Sequence, residues 1–136
     1  MTRINGQRAQ VLLDKQFEDK PLPSAQLPHL ATITVHNQMD PSGALWHPDE
    51  AGRLEKLEAS LMAELEKYSN GWAIYLRRVA FEGFRRYFVY FGDNAKVGKA
   101  VVGFQDLNPG YKVEVEFSED PTWAGYASWL KDAPLV

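Results

Sequence analysis

Two hydrophobic rhythms organise the chain. From Leu30 to Asn37, Ala31, Ile33 and Val35 alternate with Thr32, Thr34 and His36, a period of two rich in β-branched residues that predicts a strand. From Pro48 to Tyr68, Leu54, Leu57, Leu61, Leu65 and Tyr68 recur at steps of three and four, which predicts a helix with one apolar stripe. Pro48 suits the first turn, where its missing N–H costs nothing. Asp49 and Glu50 set negative charge at the positive end of the helix dipole. Ser69-Asn70-Gly71 stops the helix, with Asn70 or Gly71 able to adopt the left-handed conformation.

Trp72 to Gly92 is the stretch around which the other elements are arranged. It holds eight of the seventeen aromatic residues. The pattern predicts a β-hairpin turning at Glu82-Gly83. Trp72, Ile74 and Leu76 lie on one face, and Val79 and Phe81 continue with the parity switched, which places a bulge at Arg77-Arg78. Both faces are apolar over Tyr87 to Phe91, as expected of a central strand.

The remaining elements are shorter. Residues 1–10 are polar and expected to be loosely held, and Val11 to Phe17 reads as an edge strand. Glu18 to Pro28, with three prolines, is an extended connection. Trp46 ends a loop and is expected to staple it to the core. Asn94 to Phe104 is a second helix, with Asp93 or Asn94 as cap. Tyr111 to Phe117 alternates, with Tyr111, Val113, Val115 and Phe117 facing in. Asp120 and Pro121 begin a final helix whose apolar face is Trp123, Tyr126, Ala127 and Leu130, ended by Pro134. From Leu30 onward the order is β-α-β-β-α-β. This predicts an α+β, ferredoxin-like split β-α-β-β-α-β sandwich with strand order 4-1-3-2, extended by an N-terminal edge strand and a C-terminal helix.

Composition narrows the function classes. The chain of 136 residues is 45% hydrophobic and 24% charged, which fits a single domain spanning 1–136. The net charge of −3 argues against general nucleic-acid binding. With no cysteine, disulfides, thiol nucleophiles and thiolate metal sites are excluded. No apolar run approaches the ~18 residues of a membrane span, and MTRINGQRAQVLLD has no signal-peptide core, so the expected compartment is the cytoplasm.

Candidate chemistry thins out on inspection. Gly92-Asp93-Asn94-Ala95-Lys96-Val97-Gly98-Lys99-Ala100 resembles a phosphate loop. It has five residues between its glycines instead of four, and Ala100 stands where Ser or Thr would hold magnesium. Phe88-Val89-Tyr90-Phe91 matches the F-V-x-[FY] ending of an RNA-recognition strand, but Phe84 to Tyr87 do not match its upstream half. RNA binding through the aromatic hairpin and an enzyme with a site assembled from loops stand as the alternative readings. His29, His36 and His47 lack ligand spacing. No G-x-S-x-G occurs, and the paired carboxylates Glu64/Glu66 and Asp49/Glu50 read as solvated helix faces. No catalytic, cofactor-binding or metal-ligating residue is assigned. Charge placement remains. Arg77, Arg78, Arg85 and Arg86 lie on the hairpin, and Glu114, Glu116, Glu119 and Asp120 lie on the last strand and its exit. These eight are the candidate partner-binding residues, and an acidic group of this kind suits a basic protein partner.

A family resemblance rests on specific stretches. They are LPHLATITV, GALWHPDEAGRLEKLEASL, EGFRRYFVYFGD and EDPTWAGYASWL, the most specific parts being Gly83-Phe84-Arg85-Arg86-Tyr87 with Tyr90, and Asp120-Pro121 with Trp123 and Tyr126. In these the chain resembles the bacterial proteins grouped as domain of unknown function 695, which are similar in architecture to small acidic regulators that inhibit ribonuclease E. Families of such small acidic domains also include immunity proteins that block toxins. The resemblance implies a non-enzymatic binding protein of inhibitor or toxin-immunity type, acting on another protein such as a basic toxin or nuclease, and it carries over no catalytic residues.

Overall fold

A computed structural model describes residues 2–132. The strands are β1 (Thr2–Ile4), β2 (Gln7–Leu13), β3 (His29–His36), β4 (Ala73–Phe81), β5 (Phe84–Phe91) and β6 (Val113–Glu119). The helices are α1 (Ala51–Ser69), α2 (Val97–Leu107) and α3 (Ala124–Asp132), with a 3-10 turn at Pro48–Glu50 leading into α1. All six strands form one antiparallel open sheet in the order β1-β2-β4-β5-β3-β6, so the fold is mixed α+β.

The two rhythms become two sides of one core. Leu54, Leu57, Leu61 and Leu65 of α1 are buried against Ala31, Ile33 and Val35 of β3 and Tyr87 and Val89 of β5. Val97, Ala100, Val101 and Phe104 of α2 join the same cluster. Each buried leucine contributes about 2 kcal/mol by removal from water. The C-cap of α1 is Asn70 in the left-handed conformation, φ 52°.

The opposite face is also covered, over part of its width. Trp123 and Tyr126, at the start of α3, pack with Leu27, Leu76 and Tyr90. The Trp123 and Tyr90 rings stack at 4.3 Å. Because β5 is covered on both faces, it is the central strand that its apolar run implied. The hairpin turns at Glu82-Gly83, Gly83 having φ 92°, and the register shift falls between Tyr75 and Arg77, one step before its expected place. The turn is gripped by the loop after β3: Asn37 N–H donates to Gly83 O at 2.9 Å, and Gly83 N–H donates to Leu45 O at 3.1 Å.

Several expectations are corrected. The first ten residues are not loose from Thr2 onward. Asn5 and Gly6, both at positive φ, turn a hairpin between β1 and β2. β2 is therefore an inner strand, paired to β1 and β4, and β1 is the edge. α2 starts at Val97, not Asn94, and has no side-chain cap, because its N-cap residue is Lys96, which carries no acceptor; the Asp93 carboxylate is engaged by His29. α3 starts at Ala124, after Trp123 takes φ 56°, and the expected stop at Pro134 lies outside the described residues. Glu50 is not a solvated helix-end charge. It is fully buried and accepts hydrogen bonds from the N–H groups of Gln38 (2.8 Å) and Met39 (2.9 Å) and from the Tyr111 hydroxyl (2.9 Å). Among the described residues, no helix is long and apolar enough to cross a membrane.

Candidate functional site

Pleating decides where the four hairpin arginines go. Successive residues of a strand point to opposite faces. Arg85 and Arg78 accordingly join the face covered by α1 and α2, while Arg86 and Arg77 join the face of α3. They are not one cluster but two pairs on opposite sides of the sheet.

On the α3 face, Arg77 lies over Phe88 at 5.1 Å and over Trp129 at 4.9 Å. Burial lowers its pKa from the ordinary arginine value. Arg86 is exposed and lies over Phe81 (5.5 Å) and Phe84 (5.3 Å), whose rings stack at 4.7 Å. Both contacts are cation–π in kind. Arg86 lines an open groove of about 490 Å³ with Thr32, Thr34, Phe88, Glu114 and Glu116.

On the α1 face, Arg78 donates to Glu58 Oε1 and to Gln10 Oε1, each at 3.0 Å, and the Tyr75 hydroxyl donates to the same Glu58 oxygen at 3.2 Å. Arg85 is 4% exposed and stacks its guanidinium on Trp46 at 4.6 Å. Burial lowers its pKa, opposed by its proximity to Tyr87. Trp46 is thus the staple expected of it, fixed to the core through an arginine. Glu58 was not singled out from the sequence. A signal was available for Arg85, which shares strand parity with Tyr87 and Val89 and so had to enter the core face.

The four acidic candidates also divide. Glu119 accepts from His29 Nδ1 at 2.7 Å, and the other ring nitrogen of His29 is bonded to Asp93. The Asp93 bond raises the His29 pKa most; partial burial opposes it and Glu119 reinforces it. Asp120 is structural: its carboxylate accepts from the N–H groups of Ala124 and Gly125, each at 2.9 Å, and from the Tyr90 hydroxyl at 2.5 Å. Trp123 Nε1 donates to Leu27 O at 2.7 Å, and the Tyr126 hydroxyl donates to Asp14 O at 2.8 Å. These bonds lock α3 across the sheet. Glu114 and Glu116 lie side by side on exposed β6, where Glu114 pairs with Lys112 at 3.3 Å and His36 at 3.6 Å.

β6 is the least covered strand. It is an edge, paired only to β3. The inward pattern Val113, Val115, Phe117 does point to the α1–α2 face, but only Val113 packs against that core. Val115 is 38% exposed and Phe117 50%, the latter touching Phe91 edge-on at 5.7 Å. His36 N–H donates to Lys112 O at 3.0 Å, which sets the ladder phase. The N–H groups of Lys112, Glu114, Glu116 and Ser118 therefore face β3, and those of Val113, Val115 and Phe117 face outward.

The near-miss motifs acquire structural reasons. Gly92 is required because a Cβ there would meet Gln26 O at 2.5 Å and the Trp72 ring at 2.9 Å. Gly98 lies inside α2. Of the Phe88-Val89-Tyr90-Phe91 aromatics, Tyr90 is fully buried and Phe88 packs on Trp129, both beneath α3. No group of three or more metal-ligating side chains comes together among the described residues.

Compared with known proteins, residues 1–131 match the model described as "Family of unknown function (DUF695)". Nothing among the curated proteins or the solved structures matches the chain.

Proposed function

We propose that this chain, which belongs to the DUF695 family of unknown function, is a small non-enzymatic binding domain that holds a basic partner protein through its edge strand β6. The observation that carries this reading is the exposure of β6 on both faces, with Glu114 and Glu116 on one and Val115 and Phe117 on the other. An added strand would hydrogen-bond to the outward N–H groups of Val113, Val115 and Phe117. Its alternate side chains would be basic, opposite the glutamates, and apolar, opposite Val115 and Phe117. A second copy of this chain is a poor occupant, since antiparallel pairing of two β6 strands sets glutamate against glutamate. Occlusion of a basic toxin or nuclease in the cytoplasm of a bacterium, as by an inhibitor or immunity protein, is the role that this chemistry fits. The β3-to-β6 portion is then a ferredoxin-like split β-α-β-β-α-β unit, with β4-β5-β3-β6 as its sheet. RNA binding through the hairpin has less support, because Tyr87 is buried against α1 and α2, and Phe88 and Tyr90 lie beneath α3.

The test is affinity capture from the native cells with three forms of the protein: the natural chain, Val115→Pro, and Glu114→Lys with Glu116→Lys. Proline at position 115 removes an outward N–H and leaves the bonds to β3 intact. The natural chain should retain one stoichiometric basic protein, and both variants should lose it while keeping the natural circular dichroism. A natural chain that retains no stoichiometric protein, a partner that both variants retain, or a nucleic acid in its place would sink the reading.

A further inference from the structure

The open groove beside α3 sets charges of both signs around an uncharged floor, and strand register builds it. Thr34 of β3 pairs with Arg86 of β5 on one side and with Glu114 of β6 on the other. Thr32 lies in the same way between Phe88 and Glu116. Two short threonines therefore form the floor, the glutamates one wall, and Arg86 and Phe88 the other, around a volume of about 490 Å³. The walls stand two strand spacings apart, about 10 Å. Arg86 accordingly has no carboxylate beside it in the ladder: its cross-strand neighbours are Thr34 and Val79.

The lining is fixed before any ligand arrives. Thr34 is 9% exposed, held in the middle of the sheet. Arg86 lies over the rings of Phe81 and Phe84 at 5.5 and 5.3 Å, which holds the guanidinium by its face and leaves its N–H edge free to donate. Glu116 is exposed and has Thr32 as its cross-strand neighbour. Glu114 pairs with Lys112 at 3.3 Å and with His36 at 3.6 Å, but Lys112 is mostly exposed and such a pair is weak. The groove thus offers two carboxylates, one guanidinium and the apolar surface of Phe88. A polyamine would set an ammonium against Arg86, and a simple carboxylate would set its charge against the glutamates. A free basic amino acid carries the complement. Its carboxylate suits Arg86, its α-ammonium and side-chain cation suit the two glutamates, and its stem can lie along Phe88. We infer that this groove binds a free basic amino acid, lysine or arginine. The site shares Glu114 and Glu116 with the proposed strand-addition surface, but it needs no added strand, and Arg86 lies outside that surface.

The experiment titrates the isotope-labelled chain and follows its amide signals by two-dimensional NMR, with ionic strength held constant by chloride. L-lysine or L-arginine should give saturable shifts centred on the amides of Thr32, Thr34, Arg86 and Glu116. Two analogues each remove one group. Nα-acetyl-lysine lacks the α-ammonium and stands for the last residue of a peptide; cadaverine lacks the carboxylate. Each should bind about tenfold more weakly than lysine. Arg86→Gln and Glu116→Gln change exposed side chains and should leave the fold intact. Each should weaken lysine binding about tenfold, and Arg86→Gln should leave cadaverine binding no weaker. Arg86→Gln should also leave capture of a partner through β6 unaltered, so this inference and the strand-addition reading fail separately. No saturable shift with either amino acid, an analogue that binds as tightly as lysine, or variants that bind lysine like the natural chain would overturn the inference.

Discussion

Replacing Glu50 tests how the long loop between β3 and α1 is held. The carboxylate, fully buried, accepts two backbone N–H groups from the loop and one hydroxyl from Tyr111, just before β6. Burial by itself would raise the Glu50 pKa. The two N–H donors, the Tyr111 hydroxyl and nearby Arg53 outweigh it, and the net shift is downward. Tyr111 is correspondingly pushed up to about 12, by burial first and then by Glu50. A hydrogen bond to a charged group contributes about 1.5–3 kcal/mol, and the three here share one acceptor and are not additive. Glu50→Ala also leaves the three donors without their acceptor, so a loss of about 4 kcal/mol is expected. Glu50→Gln keeps one acceptor oxygen and should lose about half of that. With a urea slope of about 2 kcal/mol/M, Glu50→Ala should move the midpoint down by about 2 M without changing the slope. The pH dependence follows from the direction of the shift. A carboxylate with a depressed folded pKa contributes stability above its unfolded value, 4.5, and that contribution is lost as pH falls through the lower folded value. The difference between the natural chain and Glu50→Gln should therefore be constant from pH 7 to 5 and shrink on further acidification. A Glu50→Ala midpoint within about 0.5 M of the natural one, a quarter of the expected shift, or a Glu50→Gln difference unchanged at pH 3, would refute the account.

Other expectations follow from the same geometry. His29, held between Asp93 and Glu119 with its pKa raised, contributes stability that is fully present below its unfolded value of 6.5 and lost as pH rises through the folded value. Both partners are mostly exposed, so His29→Asn should cost no more than about 1 kcal/mol at pH 5.5 and nothing at pH 8.5 in urea melts. Asp120→Ala should cost about 3 kcal/mol and Tyr90→Phe about 1 kcal/mol, since the carboxylate serves two helix N–H groups besides the hydroxyl. A loss of near-ultraviolet circular dichroism with the sheet signal retained would mark α3 as the part released.

Where the pattern of one segment determines its burial, the sequence was legible. The leucine stripe of α1 and the alternation of β3 predicted both elements to within a few residues, because each buries one face against one partner. The double-sided apolar run of β5 predicted its central place for the same reason. Asn5-Gly6 was also a readable hairpin signal, obscured by the polar residues around it. Other features depended on distant partners. The faces of Arg77 and Arg78 turned on a bulge whose position shifts the parity of every later residue of β4. Glu50 looked like a dipole charge because its acceptors' partners lie 11, 12 and 61 residues away. The alternation of β6 predicted an inward row correctly, but pattern alone carries no information on whether a helix extends far enough to cover that row.

The residues that carry the family resemblance are largely consumed by the fold. Gly83 makes the turn, Tyr87 and Tyr90 are fully buried, and Asp120, Trp123 and Tyr126 fasten α3 through hydrogen bonds to other parts of the chain and to the helix itself. Such residues specify architecture, and a partner that met the finished surface would not touch them. Recognition is therefore best sought among side chains for which the fold has no use. On β6 these are Glu116 and Phe117, exposed at an open edge beside Glu114, which pairs only loosely with Lys112 and His36 on the surface. Within the motif stretch Arg85 is enclosed and holds Trp46 through its guanidinium, so it too serves the architecture.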